Sequence, residues 1–232
     1  MKKLAFSLIC ANVFASNFVG FGFYGSNADT KNAEGLDIED KGIYHYEIYA
    51  NKFYSEGENN FVYDAKLGYS YYKSNIKAIE ENVEVKASVK VKALSLQALA
   101  GYGILAGNDV SLSFLGGLGY ENAKYTASNF SATLGNATAI VDLSSSEKDN
   151  SMFLKTGVAA RKQFENNFTM SGGVYLKYFT KKIEDVKRFS PEVDLRLGYT
   201  FANNIYAGVK FGYENTLIGH GGKAGFELGY KF

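Results

Sequence analysis

The 232-residue sequence has no Trp, one Pro, one Cys, two His and three Met. A single Cys excludes a disulfide framework, and with only two His there is too little from which to build a zinc site. One Pro excludes collagen-like and polyproline-rich chains. Excess charge is also missing. Lys and Arg number 25 against 24 Asp and Glu, which removes the electrostatic footprint of a nucleic-acid binder. No apolar run outside the N-terminus approaches ~18 residues, so no spanning helix is expected. What is abundant is Gly (25), Tyr (18) and Phe (18). This aromatic content excludes a disordered chain, and the mixture favours strands with close backbone approach.

The chain opens MKKLAFSLICANVFAS, with two lysines, an apolar stretch from Leu4 to Phe14 and the small-residue ending Val13-Phe14-Ala15. That order is the order of a secretory signal peptide, too short and wrongly flanked for a spanning helix. Residues 1–15 are therefore expected to be removed, leaving 16–232 as a single domain with no cysteine. Cys10 does not make a lipoprotein signal, because the bulky Ile9 precedes it.

At period two, Phe61, Tyr63, Ala65, Leu67, Tyr69 and Tyr71 separate from Val62, Asp64, Lys66, Gly68, Ser70 and Tyr72. The same division recurs at 94–104, 110–120, 152–160, 168–178, 193–201, 205–213 and 224–232, and more weakly at 19–23 and 44–50. Ten strands result. Short polar turns near 55–59, 106–109, 165–167 and 202–204 alternate with long connections near 26–41, 73–82, 121–150, 180–191 and 215–222. An even-numbered barrel with short turns at one end and long loops at the other has this layout. Residues 83–92 alternate in the opposite parity to Leu94 onward, which predicts a β-ribbon projecting beyond the barrel past a bulge.

Alternation alone does not separate a membrane barrel from a soluble one; the face opposite the apolar one does. It carries Gly68, Gly117, Gly157, Gly198 and Gly229 among Ser, Thr, Lys and Asp. Glycine weakens a strand interior but suits a crowded lumen. The apolar face of the ten strands has no Asp, Glu, Lys or Arg, as expected where one Lys or Arg costs ~2–4 kcal/mol near the bilayer midplane. The expected fold is all-β: an antiparallel up-and-down transmembrane β-barrel of about ten strands, with eight as the alternative because the first two are the weakest. Tyr69, Tyr71, Tyr120, Tyr178 and Tyr213 then close the long-loop end, and Tyr102 and Tyr199 the other, as two aromatic girdles.

A signal peptide, a repeated Leu-Gly-Tyr at 67–69, 118–120, 197–199 and 228–230, and a last strand ending Phe226-Glu-Leu228-Gly-Tyr230-Lys-Phe232 resemble bacterial outer-membrane β-barrel proteins of the small, porin-like OmpA/OmpX class. The resemblance implies residence in the outer membrane of a Gram-negative cell envelope. It also implies that Phe226, Leu228, Tyr230 and Phe232 form the signal read by the outer-membrane insertion machinery. Most small barrels of that class have eight strands, so a count of ten is a departure.

The inward face is expected to hold a charge network of Glu47, Asp64, Lys66, Lys155, Arg161, Lys177, Asp194, Arg196, Lys210, Glu214 and Glu227, together with Lys223 and Lys231. Cations outnumber carboxylates in that set, and ten strands lie near the filled end of the barrel series, so at most a narrow, slightly cationic path is expected. His45, inward near the long-loop rim, and His220 are candidates for an acid-base set with Glu47 or Glu214. An omptin-like protease needs Asp-His and Asp-Asp pairs at the rim, and these are not found. The expectation is a non-enzymatic outer-membrane protein that anchors long extracellular loops for surface contact, adhesion or envelope integrity, without cofactor or metal, whose partners are the outer-membrane bilayer, the insertion machinery and an extracellular ligand held by loops, with no nucleic acid. A small porin or narrow channel is the alternative, and a protease or lipid-modifying enzyme the third reading.

Overall fold

Two of the short turns are built alike. In Phe164–Phe168 and Phe201–Ile205 the first N–H donates to the last carbonyl at 2.8 Å, and the N–H of Asn167 or Asn204 donates back to the first carbonyl at 3.0 and 2.9 Å. Asn167 and Asn204 take φ of 63° and 64°. A type I turn closed by one left-handed residue has this pattern, and Asn tolerates that conformation better than most side chains.

The computed structural model describes residues 18–232 apart from 28–35, 39–41, 57–58, 81–82, 108–109, 136, 142 and 184–185. The expected signal peptide, residues 1–15, lies outside the described residues. Twelve strands follow in order: β1 (Phe18–Asn27), β2 (Leu36–Ile38), β3 (Gly42–Lys52), β4 (Phe61–Glu80), β5 (Val83–Ala106), β6 (Val110–Leu134), β7 (Ala137–Val141), β8 (Ser145–Gln163), β9 (Phe168–Phe179), β10 (Phe189–Thr200), β11 (Ile205–Thr216) and β12 (Gly219–Tyr230). Ten of them pair antiparallel in sequence order. The pairing of β1 with β12, Val19 opposite Tyr230 through Ser26 opposite Lys223, closes the barrel. The short β2 and β7 lie off the wall, against the far ends of β4 and β6. The count of ten is thus borne out, and the alternative of eight falls, because β1 and β3 pair over ten positions.

The outward positions are those expected to meet lipid. Leu67, Leu96, Leu118, Leu154, Val174, Leu195, Phe211 and Phe226 are all exposed. A soluble protein would not present so continuous an apolar belt to water. The glycine face points inward, and its glycines lie beneath aromatic rings. A Cβ on Gly20 would sit 2.5 Å from the Tyr49 ring, one on Gly173 would sit 2.6 Å from Tyr175, and one on Gly198 or Gly208 would meet Tyr206. The inward tyrosines fold flat against the wall because there is no side chain beneath them.

Two of the expected long connections are corrected. β4 continues to Glu80, and β6 and β8 occupy 121–134 and 145–150, so 73–82 and 121–150 are largely strand. The expected ribbon from 83 to 92 is present, paired with β4 through Glu80 and Val83, but no bulge marks the parity change. The register shift comes further out, across Lys86 and Ser88, where β6 holds Asn129 at φ 57°. Parity changes because polarity inverts while the strands run straight on. Below the change Leu94 is outward and exposed; above it Val91 is inward and buried, with Lys90 and Lys92 outward. The same exchange occurs after Tyr71 on β4, after Tyr120 on β6 and before Met152 on β8. These positions form one line across the sheet, since Tyr69 pairs with Leu94, Leu96 with Tyr120 and Tyr120 with Met152. Outward side chains are apolar where they meet hydrocarbon and polar where they meet water. The inversion therefore marks the lipid edge. Beyond it the four strands continue for about 25–45 Å at ~3.3 Å per residue, as a β-lobe that buries Tyr72, Val91 and Ala123 next to the edge and leaves Ile79, Val85, Leu134 and Ile140 exposed further out.

Candidate functional site

The lumen gathers the inward charges into layers. Nearest the lobe, Lys177 pairs with Glu121 and Glu192, and Lys155 with Glu192. Lys155 also donates to Gln97 Oε1 at 3.4 Å, and Gln97 Nε2 donates to Asp64 Oδ2 at 3.3 Å, beside Lys66. Across the barrel Glu47 accepts from Lys210 at 2.9 Å and from Lys223 at 2.6 Å, and Lys223 also pairs with Glu214. Deeper still, Glu227 lies 3.6 Å from Arg196 Nε and accepts from Tyr24 Oη at 2.7 Å. Aromatic faces complete the cations: Lys177 over Phe153 and Phe179, Lys155 over Tyr175, Lys210 and Lys223 over Tyr24, and Arg196 over Tyr49. A buried charge is tolerated only when paired and hydrogen-bonded; here most have both a carboxylate and a ring.

Of the residues expected inside, Asp194 lines the same cavity as Lys155 and Lys210. Arg161 stands apart near the short-turn end, its guanidinium 4.1 Å from the Phe18 ring centre and 5.4 Å from that of Phe53. Lys231 lies at the short-turn mouth, where Lys231 Nζ donates to Gln163. Two carboxylates were missed. Glu121 lies on β6 where a loop is expected, and Glu192 on β10 just ahead of the expected strand, behind Pro191. With them, and with Lys231 outside, the lumen holds seven carboxylates and seven cations among the described residues, so the expected cationic bias is corrected to balance there. Pro191 fits inside β10 because β11 reaches only to Val193, leaving no partner on that side for the missing N–H.

Both mouths are covered. At the lobe end the β11–β12 turn folds inward: Leu217 N–H donates to Glu121 Oε2 at 2.8 Å, and Tyr125 Oη donates to the Leu217 carbonyl. Leu217 and Ile183 complete an apolar cluster with Ala93, Ala123, Phe153 and Phe179. A second cluster of Ile43, Tyr72 and Val91 adjoins it through Tyr125 and Ile218. At the short-turn end Phe53 and Tyr54 pack on Val62, Leu99, Leu115, Ala159 and Tyr175. Between these covers lie a cavity of about 70 Å³ at the level of Lys155, Lys210 and His45, and two of about 20 Å³ beside Arg196; a further space of about 230 Å³ lies at the short-turn mouth among Phe53, Tyr54, Arg161 and Lys231. The cavities between the covers hold roughly five waters and one or two waters respectively, at 10–15 Å³ each.

His45 is inward and buried, with Nε2 2.7 Å from Ser26 Oγ, Nδ1 2.8 Å from Ser70 Oγ, and Glu214 at 4.0 Å. His220 is elsewhere, edge-on to the outward Tyr213, so the two histidines do not form one set. Among the described residues no group of three or more His, Cys, Asp or Glu is arranged to hold a metal ion. Above the lipid edge, hydrogen bonds from Lys77 and Lys86 hold the Glu84 carboxyl below its ordinary value.

The girdle tyrosines fall at the two ends of the belt. Tyr69 adjoins Tyr46, Phe23 stacks on Tyr44, and Tyr178 meets Phe189 at the lobe end. Tyr71 pairs opposite Tyr44, and Tyr120 and Tyr213 lie at the same end. Tyr199 packs on Phe201, and Tyr102 pairs with Phe61, at the short-turn end. Phe226, Leu228 and Tyr230 all point outward, and Phe232 packs on Tyr230 at 4.9 Å.

No protein-family model matches the sequence, and no curated protein matches it. Solved structures do. The translocator domain of the autotransporter NalP from Neisseria meningitidis is similar over 100% of this chain and 95% of its own, at 13% identity and a TM-score of 0.55. Looser likenesses are the outer membrane protease OmpT from Escherichia coli (10% identity, 94% of this chain and 96% of that one, TM-score 0.49) and Ail, the attachment invasion locus protein of Yersinia pestis (12%, 94%, 99%, TM-score 0.34). At such identities the likeness is one of fold. That fold is the closed antiparallel barrel of the bacterial outer membrane, and the uncharged belt between its two girdles is the part that meets the bilayer.

Proposed function

We propose that this chain is a non-enzymatic outer-membrane anchor, which fixes a rigid β-lobe above the outer leaflet for contact with the surroundings. The observation that carries this reading is the pairing of a filled, charge-balanced and doubly covered lumen with four strands that run far past the lipid edge. A channel needs a continuous wet path, and an interior filled by ion pairs and inward tyrosines, with cavities of about 70 and 20 Å³ between them, supports the anchor instead. Strands of 19–25 residues exceed the ~9–11 that cross a bilayer, and their continuation gives the barrel something to hold. Planar-bilayer conductance of the refolded protein tests it: the anchor is silent, and discrete ion steps would overturn it.

One observation favours an enzyme as the second reading. His45 between Ser26 and Ser70, with Glu214 at 4.0 Å, has the residue types of a nucleophile, a base and an orienting acid. Its burial beneath the rim supports the structural role instead. Assay of hydrolysis on peptides and on lipopolysaccharide, with Ser26→Ala and His45→Ala, separates the two; turnover abolished by both variants would establish the enzyme.

A further inference from the structure

Just above the lipid edge the outward face of β4, β5, β6 and β8 is cationic. Lys73, Lys90, Lys92, Lys124 and Lys148 are exposed there, and they form no ion pair among the described residues. The register opposes them directly: Lys92 faces Lys124, Lys124 faces Lys148, and Lys73 faces Lys90. Like charges directly opposite destabilise a sheet. With strands ~4.8 Å apart, the three lysines of that row stand within about 10 Å. Two rows beyond Lys73 and Lys90, Lys77 and Lys86 share Glu84 at 2.6 Å each.

Position identifies what the charges face. Lys73 and Lys92 are the first outward residues beyond Tyr71 and Leu94, and Lys124 and Lys148 stand two outward positions beyond Tyr120 and Met152. A wall face points sideways, parallel to the membrane, so at this height it looks across lipid headgroups. On the other side of the barrel Phe189, Tyr213 and Tyr44 stand outward at the upper edge, and the further exposed cations at this end, Lys181, Lys182, Lys187 and Arg188, lie in the β9–β10 connection, so the rows of directly opposed lysines belong to one flank. We propose that this lysine flank binds the phosphate groups of lipid headgroups in the surrounding leaflet, as on a phosphorylated glycolipid. Lys suits that task as a point charge toward phosphate, and the bound phosphates relieve the repulsion that the register imposes. The inference rests on the long-loop end facing outward, as in the proposed function.

The refolded protein in detergent is titrated with purified lipopolysaccharide and with the same lipid after dephosphorylation. Phosphorylated lipid binds and dephosphorylated lipid binds far more weakly. The triple variant Lys92→Gln, Lys124→Gln, Lys148→Gln weakens binding by about a hundredfold, at a factor of ~5 per lysine near an anionic surface. The triple Lys52→Gln, Lys162→Gln, Lys231→Gln, equal in charge but at the short-turn end, leaves it unchanged. Equal loss in both triples, no loss in the first, or binding indifferent to dephosphorylation overturns the proposal. So does displacement of the lipid by millimolar inorganic phosphate or by heparin, which would mark a site for free anions. Heat-shifted gel migration keeps the outcomes separate: a variant that migrates as a folded barrel and still binds sinks only the lysine flank, whereas a wild-type chain without the shift sinks the barrel itself.

Discussion

Replacing Glu47 tests whether the lumen is closed to bulk water. Its carboxylate accepts from Lys210 at 2.9 Å and Lys223 at 2.6 Å, and the three side chains are 12%, 2% and 4% exposed. Lys223 keeps Glu214 when Glu47 is lost. Lys210 keeps no carboxylate partner among the described residues. Removing one member of a buried pair costs about 3–5 kcal/mol, because the remaining charge stays desolvated. Glu47→Ala is therefore expected to lower the unfolding free energy by about that amount, measured by urea titration in lipid vesicles with heat-shifted gel migration as the readout. The double variant Glu47→Leu, Lys210→Met removes both charges and fills the space with apolar atoms, so it is expected to regain most of the loss. A loss below about 1 kcal/mol for Glu47→Ala, the range of a solvated pair, would show that bulk water reaches this pair and would refute the sealed barrel.

Leu195→Arg or Val209→Arg puts a charge on the lipid face and is expected to cost ~2–4 kcal/mol in vesicle folding. Ser88→Arg, outward above the lipid edge, is the control expected to be neutral; equal effects would contradict the facing. Gly208→Ala is expected to cost ~1–3 kcal/mol by overpacking, since its Cβ would lie 2.5 Å from Tyr206 Oη and 2.7 Å from the Leu197 carbonyl. Gly116→Ala, whose Cβ meets only Thr156 at 3.8 Å, is expected to be neutral or stabilising in the same urea titration. Phe232→Ala with Tyr230→Ala is expected to reduce assembly into the outer membrane of cells while leaving refolding in vesicles unchanged. Equal loss in both settings would make these residues structural.

The barrel was legible because lipid imposes one rule on every strand: period two with no charge on one side. Asp64, Lys66, Arg196 and Glu227 could be assigned inward from that rule alone, as could the glycines beneath the tyrosines. Reasoning failed where the rule reverses. Residues 121–125 continue the alternation of 110–120, but with Lys124 outward and Ala123 and Tyr125 inward. A search for apolar outward faces therefore assigned them to a loop, and Glu121 was lost with them. Glu192 was hidden by Pro191, whose tolerance depends on how far β11 extends. The covers were illegible for another reason: Leu217, Ile183 and Phe53 lie in connections, where no period tells inward from outward.

The position of the lipid edge on β5 and β6 decides which face meets hydrocarbon and which meets water, and single spin labels measure it directly. With Cys10 in the expected signal peptide, the mature chain offers a background free of other thiols. Labels at Leu96, Leu118, Lys92 and Lys124 in vesicles are compared for collision with oxygen, which concentrates in hydrocarbon, and with a water-soluble nickel chelate. Oxygen is expected to dominate at 96 and 118 and the chelate at 92 and 124, with the exchange between 92 and 96 on β5. All four labels reporting the same phase would contradict this position of the edge.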